Sequence, residues 1–208
     1  MEFQPLKYIY EPAGNPDAKT LLLLHGTGGD ENDLLPLAKS FGTGFNILSL
    51  RGNVSENGMP RFFKRLGMGI FDEKDLEFRT DEMVDFIEKL AVEKGFDVKG
   101  IIALGYSNGA NIAGATLVLH PNFLAGAILF RPMQPFVNLA SFKNNSNVPV
   151  FFSSGKFDGT VDPEKTMQYL KSLQYGGFAV SYHEINTGHN LVQEDVDLAV
   201  KWFQEIAG

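Results

Sequence analysis

"GIIALGYSNGANIAGATLVL", residues 100–119, passes from an apolar run, through a serine set between two glycines, into a segment of helical length. Residues 101–104 carry no polar side chain, as a strand covered on both faces of a parallel sheet requires. From 108 onward, small and aliphatic residues continue long enough to form a helix. The junction reads G-x-S-x-G, and at a strand–sharp turn–helix junction that spacing is the context of a nucleophile elbow. Such a turn holds its serine in a strained backbone conformation. Residues larger than glycine two places to either side would collide with adjacent elements. The competing reading is a glycine-rich helix start whose serine merely caps.

Apolar runs at 20–26, 45–50, 124–130, 148–154 and 178–185 join 100–105 as strands. Segments 31–41, 77–94, 108–119, 163–175 and 190–206 carry helical spacing between them. In the last, Leu191, Val192, Val196, Ala199, Val200, Phe203 and Ile206 recur at three and four. Asp162, Pro163 and Glu164 form a helix start as N-cap, first helical position and first-turn acid. The alternation predicts an α/β fold with a mainly parallel sheet of about six or seven strands. "LKYIYEP" near the start adds a candidate edge strand. No repeat or linker divides the chain, so residues 1–208 read as a single domain with little or no cap domain. Residues 51–76 break the rhythm and are too long for an ordinary strand-to-helix loop. Phe62, Phe63, Leu66, Met68, Ile70 and Phe71 make that stretch apolar, which fits either a small satellite core or a lid or pocket wall facing a substrate. With 131–143, it sets the shape of any pocket at that edge.

Composition narrows the partners. The chain has 208 residues, a net charge of -7 and 44% hydrophobic residues. That balance argues against nucleic acid or an anionic membrane as the main partner. There is no cysteine, which removes disulfides, thiolate metal sites and a cysteine nucleophile. The N-terminus lacks a signal-peptide core, and "LLLL" at 21–24 is too short to span a bilayer. A cytoplasmic protein without membrane insertion is expected, and neither metal nor organic cofactor is called for. A homo-oligomer is compatible with the sequence, which does not specify one.

A serine nucleophile needs a base, and the base an orienting carboxylate. Ligands of open α/β sheets bind at the carboxyl ends of the strands, and Ser107 lies there. Of four histidines, His25 precedes the serine, His120 suits a helix C-terminus, and His183 falls within a strand. His189, in "NTGHN", lies just past the carboxyl end of the last strand. Four carboxylates separate Ser107 from His189. Asp162 and Glu164 belong to a helix start and Glu184 to a strand, leaving Asp158 beyond the end of 148–154. The chain order Ser107, Asp158, His189 is that of an α/β-hydrolase. An oxyanion hole would draw one donor from the backbone N–H of Asn108 and another from the glycine-rich loop "HGTGGDEND", 25–33. That loop lacks the GK[ST] ending of a phosphate-binding P-loop.

The stretches "LLLLHGTGGDENDLLPLA", "RGNVSENGMPRFFKRL", "GYSNGANIA" and "TGHNL" resemble the phospholipase/carboxylesterase family of small α/β-hydrolases, and within it bacterial carboxylesterases of the MhqD/YahD type. The likeness runs from about residue 20 to the end. It implies Ser107 as nucleophile, Asp158 as acid and His189 as base, with backbone donors at Thr27 and Asn108. Where relatives often read G-x-x-D-x-x-V-P, this chain reads G-K-F-D-G-T-V-D-P, with Asp162 at the usual proline.

The leading expectation is therefore a serine carboxylesterase acting on a small-molecule ester without a cofactor. A second is a thioesterase or lysophospholipase for longer acyl chains, with Met68 and Met133 lining an acyl groove. A third, from another class, is a catalytically silent α/β-hydrolase that binds ligand.

Overall fold

Five largely apolar runs assemble into the centre of one sheet, with a partly exposed strand at either edge. In the computed structural model, which describes residues 2–139 and 147–207, the seven strands run in the order β1-β3-β2-β8-β9-β10-β11. They are β1 (Lys7–Glu11), β2 (Thr20–Leu24), β3 (Asn46–Arg51), β8 (Ile101–Tyr106), β9 (Gly126–Phe130), β10 (Pro149–Gly155) and β11 (Ala179–Ile185). Only β1 is antiparallel, pairing with β3 at one edge as Lys7 opposite Arg51. The other pairings are parallel. This is the expected mainly parallel sheet, with the early edge strand included.

The pleat explains why these strands read as unbroken hydrophobic runs. Leu22, Leu24, Ala103, Leu129 and Phe152 point into one core, together with Met83 and Ile87 of α2 (Glu73–Lys94) and Ile112 of α3 (Asn108–Leu119). Leu21, Leu23, Leu104, Ile128 and Phe151 point into the other, against Trp202 and Phe203 of α5 (Gln193–Ala207). Successive side chains alternate faces, so two covered faces demand apolar residues at every position. The helix α4 (Pro163–Tyr175) completes the first face through Tyr169 and Leu173.

Helix ends follow local chemistry. The Asp162 side chain accepts from the Glu164 N–H at 2.9 Å and starts α4, the cap role its spacing implied. Asp72 accepts from the Asp75 N–H, so α2 begins at Glu73, ahead of the expected 77. The segment 31–41 forms only a four-residue helix, α1 (Leu35–Ala38), followed by a 3-10 turn. There the Asp30 side chain accepts from the Asn32 N–H at 2.8 Å and draws the preceding residues into turns.

Residues 51–76 are neither a separate core nor an unstructured loop. They form two short hairpins, β4 (Val54–Glu56) with β5 (Met59–Arg61) and β6 (Arg65–Gly67) with β7 (Ile70–Phe71). Phe62 and Phe63, between them, are buried in the main core. Leu66, Met68 and Ile70 point outward, 74%, 71% and 60% exposed. Of the 131–143 connection, residues 140–143 lie outside the described residues.

The elbow is held by close backbone contact. A Cβ on Gly109 would lie 1.9 Å from the Leu24 carbonyl oxygen, and one on Gly105 would lie 2.5 Å from the Gly109 carbonyl oxygen. Gly109→Ala should therefore lower stability by about 3 kcal/mol, the upper end for overpacking. Gly44→Ala, where nothing lies within 4 Å, should shift stability by no more than about 0.5 kcal/mol. Urea unfolding of both variants checks this; equal effects would refute the packing account.

Candidate active site

Ser107 joins β8 to α3 at φ 51° and ψ -110°, a conformation costly for any residue with a Cβ. Two backbone bonds hold it there. Its N–H donates to the Phe130 carbonyl at 2.9 Å, and its carbonyl accepts from the Asn111 N–H at 3.0 Å. The turn brings the Ser107 Oγ 3.0 Å from His189 Nε2. On the other side of the ring, His189 Nδ1 lies 2.7 Å from Asp158 Oδ2. A neutral imidazole that donates from Nδ1 to this carboxylate leaves Nε2 free to accept the hydroxyl proton.

Asp158 is itself fixed. Its Oδ1 accepts from the Thr160 N–H at 2.8 Å, and its side chain is 3% exposed against 24% for His189. The site is thus dry at the carboxylate and open at the imidazole. The structure brings together Ser107, Asp158 and His189, from three different strand ends. The other histidines are engaged elsewhere. His120 meets Asp81 at 2.8 Å, and His183 stacks on Phe151.

His25 begins the 25–33 loop and is buried. Its Nδ1 lies 2.6 Å from the Gly26 carbonyl, and its Nε2 accepts from the Gly52 N–H at 3.1 Å. Both bonds require the neutral Nδ1–H form. Burial pushes its pKa below the ordinary histidine value, and the Gly26 bond partly opposes this. Beside it, a Cβ on Gly26 would lie 2.8 Å from the Tyr106 ring, so the loop carrying Thr27 abuts the elbow. Thr27 Oγ1 accepts from Arg61 Nη1 at 2.6 Å, and the Gly28 N–H donates to the Pro60 carbonyl at 2.9 Å. The Asn108 N–H lies in the first turn of α3, where backbone donors lack helical partners and the helix dipole is positive.

Several supporting residues escape sequence reasoning. Asn108 acts through its side chain as well: Oδ1 accepts from the Phe62 N–H at 2.8 Å, while Nδ2 is buried without a partner. Asn111 Oδ1 accepts from the Met133 N–H at 2.7 Å. The first turn of α3 thereby anchors the 51–76 segment on one side and the chain after β9 on the other. An asparagine at the first and fourth helical positions is the only signal the sequence offers for this. Arg61, 3% exposed, carries no signal beyond its place in a phenylalanine-rich stretch.

A cavity of about 380 Å³ opens between Ile70 and Phe71 of the second hairpin, Met133 to Val137, and Lys165 of α4. Met133 lines it. Met68 is not among its lining residues; its Sδ lies 3.6 Å from Arg65 Nη1.

The phospholipase/carboxylesterase family profile matches residues 7–206. The chain belongs to the phospholipase/carboxylesterase family. It is 44% identical to MhqD of Bacillus subtilis (strain 168) over 200 residues, 96% of this chain and 98% of that protein. The crystal structure of the Bacillus cereus carboxylesterase superposes with a TM-score of 0.93 at 42% identity, covering 97% of this chain and 94% of that one. YahD, solved with malic acid, superposes with a TM-score of 0.90 at 33% identity, covering 97% and 99%. This family member has the α/β-hydrolase fold and is a hydrolase of the carboxylesterase type. Among the described residues, no helix is long and apolar enough to cross a membrane.

The neutral His25 couples stability to pH. The unfolded chain binds a proton at about 6.5, and the folded chain only below its lowered value. The unfolded state therefore holds more protons between the two, and stability falls as pH drops below about 6.5. His183, also lowered by burial, acts in the same direction. The wild-type urea midpoint should decline between about pH 7 and 5, and His25→Gln should flatten part of that decline. Parallel slopes for the two proteins would remove His25 as a cause.

Proposed function

We propose that this family member is a serine carboxylesterase working through a Ser107–His189–Asp158 triad and an acyl-enzyme. The observation that carries this reading is the pair of bonds on His189: 3.0 Å from Nε2 to the Ser107 Oγ and 2.7 Å from Nδ1 to Asp158. In the reaction so read, Ser107 Oγ attacks the ester carbonyl while His189 Nε2 takes its proton. The imidazolium, stabilised by Asp158, then protonates the leaving alcohol. In the second half, His189 activates water, which releases the acid and restores Ser107. The N–H groups of Thr27 and Asn108 hold the oxyanion in both steps, a term often the largest in such catalysis. Residues 1–208 act as one domain in this reading, and a cysteine-free acidic chain suits the cytoplasm and a small ester as partner.

The cavity beside Met133 favours a second reading, in which the acyl group is long or is presented as a thioester. Ile70, Phe71, Met133, Pro135, Phe136 and Val137 give that space an apolar wall suited to an alkyl chain.

Ser107→Ala should lower hydrolysis of p-nitrophenyl acetate on the order of 10⁶-fold, the loss seen when such a nucleophile is removed. It should also abolish the mass increase on treatment with a fluorophosphonate. Turnover retained by this variant sinks the assignment. A series of esters and thioesters of graded acyl length separates the two readings. Specificity constants that climb with chain length favour the longer-chain reading, and a steady fall from acetyl upward favours the short-ester one.

A further inference from the structure

The loop that carries His189 is held by side chains the mechanism above does not use. Arg131 Nε donates to the Gly188 carbonyl at 3.2 Å, and Arg131 Nη2 to the Asn190 carbonyl at 3.2 Å. The carbonyl between them, that of His189, accepts from the Tyr106 hydroxyl at 3.2 Å. Three consecutive carbonyls, centred on the histidine, are thus each gripped by a side-chain donor.

Arg131 is itself fully committed. Its two Nη atoms each lie 2.7 Å from an oxygen of Asp195, and Nη1 also donates to Ser153 Oγ at 2.8 Å. Its five N–H groups therefore have five acceptors, a match that only a guanidinium provides. Both side chains of the Arg131–Asp195 pair are 0% exposed. Asp195 lies in the first turn of α5, where it also accepts from Ser153 Oγ and the Val192 N–H. Arg131 adopts φ 55°, outside the range comfortable for a side-chain-bearing residue. A buried ion pair of this kind is weak evidence for stability, since apolar replacements are often neutral or better. Its geometry points instead to orientation.

The neighbouring residue supplies the other half. The Phe130 carbonyl accepts the Ser107 N–H at 2.9 Å, so residues 130 and 131 at the end of β9 hold both the serine turn and the histidine loop. We infer that Arg131, clamped by Asp195, is a positioning residue that together with Tyr106 sets His189 against Ser107, using the end of β9 as their common reference. This rests on the proposed Ser107–His189 chemistry.

The test uses the full chain with p-nitrophenyl acetate and three variants. Arg131→Lys keeps the charge but cannot span Gly188, Asn190 and Asp195. Arg131→Met/Asp195→Asn removes the grip while leaving no unpaired buried charge. Tyr106→Phe removes only the hydroxyl and keeps the ring. Each should keep KM while kcat falls, by about 10²-fold for the two Arg131 variants, the scale of a misplacement near 1 Å, and by less for Tyr106→Phe. The low-field proton resonance of the His189 Nδ1–H should broaden or vanish in both Arg131 variants, which a role in stability alone would not produce in folded protein. Any Arg131 variant that is folded by circular dichroism and keeps wild-type kcat and that resonance overturns the inference. Should neither fold, an unchanged kcat in Tyr106→Phe overturns it, and a lowered kcat at constant KM upholds it. Ser107→Ala distinguishes the two failures, because activity surviving there rejects the triad itself rather than its support.

Discussion

The first turn of α3 lies so close to the end of β2 that no side chain fits between them. A Cβ at residue 109 would meet the Leu24 carbonyl oxygen at 1.9 Å, and one at residue 105 would meet the turn itself. Everything at this sheet edge follows from that approach. It forces the chain to reverse within one residue and leaves Ser107 in a conformation that only a well-braced turn sustains. It also brings the helix start beside the loop that leaves β2, since a Cβ at residue 109 would lie 2.7 Å from the His25 carbonyl oxygen as well.

The same helix start acts as a hub. Asn108 and Asn111 project from it in two directions and bind backbone N–H groups of Phe62 and Met133. Each receives a segment that has no regular helix to lean on, so the polar side chains replace missing secondary structure. Arg61 and His25 serve the β2 loop in the same way, joining Thr27 and Gly26 to residues far along the chain. The sheet supplies rigidity, and a handful of buried polar groups carry it into the connections.

What could be read from the sequence, and what could not, divides along this line. The strands were legible because burial on two faces leaves no polar position in Leu21 to Leu24 or Ile101 to Leu104. The places of Ser107, Asp158 and His189 were legible because each follows a strand end and the competing residues had local explanations, as the Asp162 cap illustrates. The hairpins within 51–76 were not, since strands of two or three residues show no periodicity. The shortened α1 was hidden because Asp30 competes for a backbone N–H that helical spacing assumes is free. Least legible of all was reach. Nothing in "LFRPM" tells that the Arg131 guanidinium meets Asp195, because that contact spans 64 positions of chain.

The hairpin β6–β7 stands apart from this economy. Leu66, Met68 and Ile70 are mostly exposed, yet Ile70 and Phe71 form one wall of the 380 Å³ cavity. Exposed positions tolerate substitution with little effect on folding, whereas the serine turn, whose residues are each tied by contact or conformation, tolerates almost none. Freedom to vary is therefore concentrated at the exposed rim of that cavity, and constraint where the strands meet one another. A lineage built on this scaffold can drift in the shape of that rim while its folding stays unchanged.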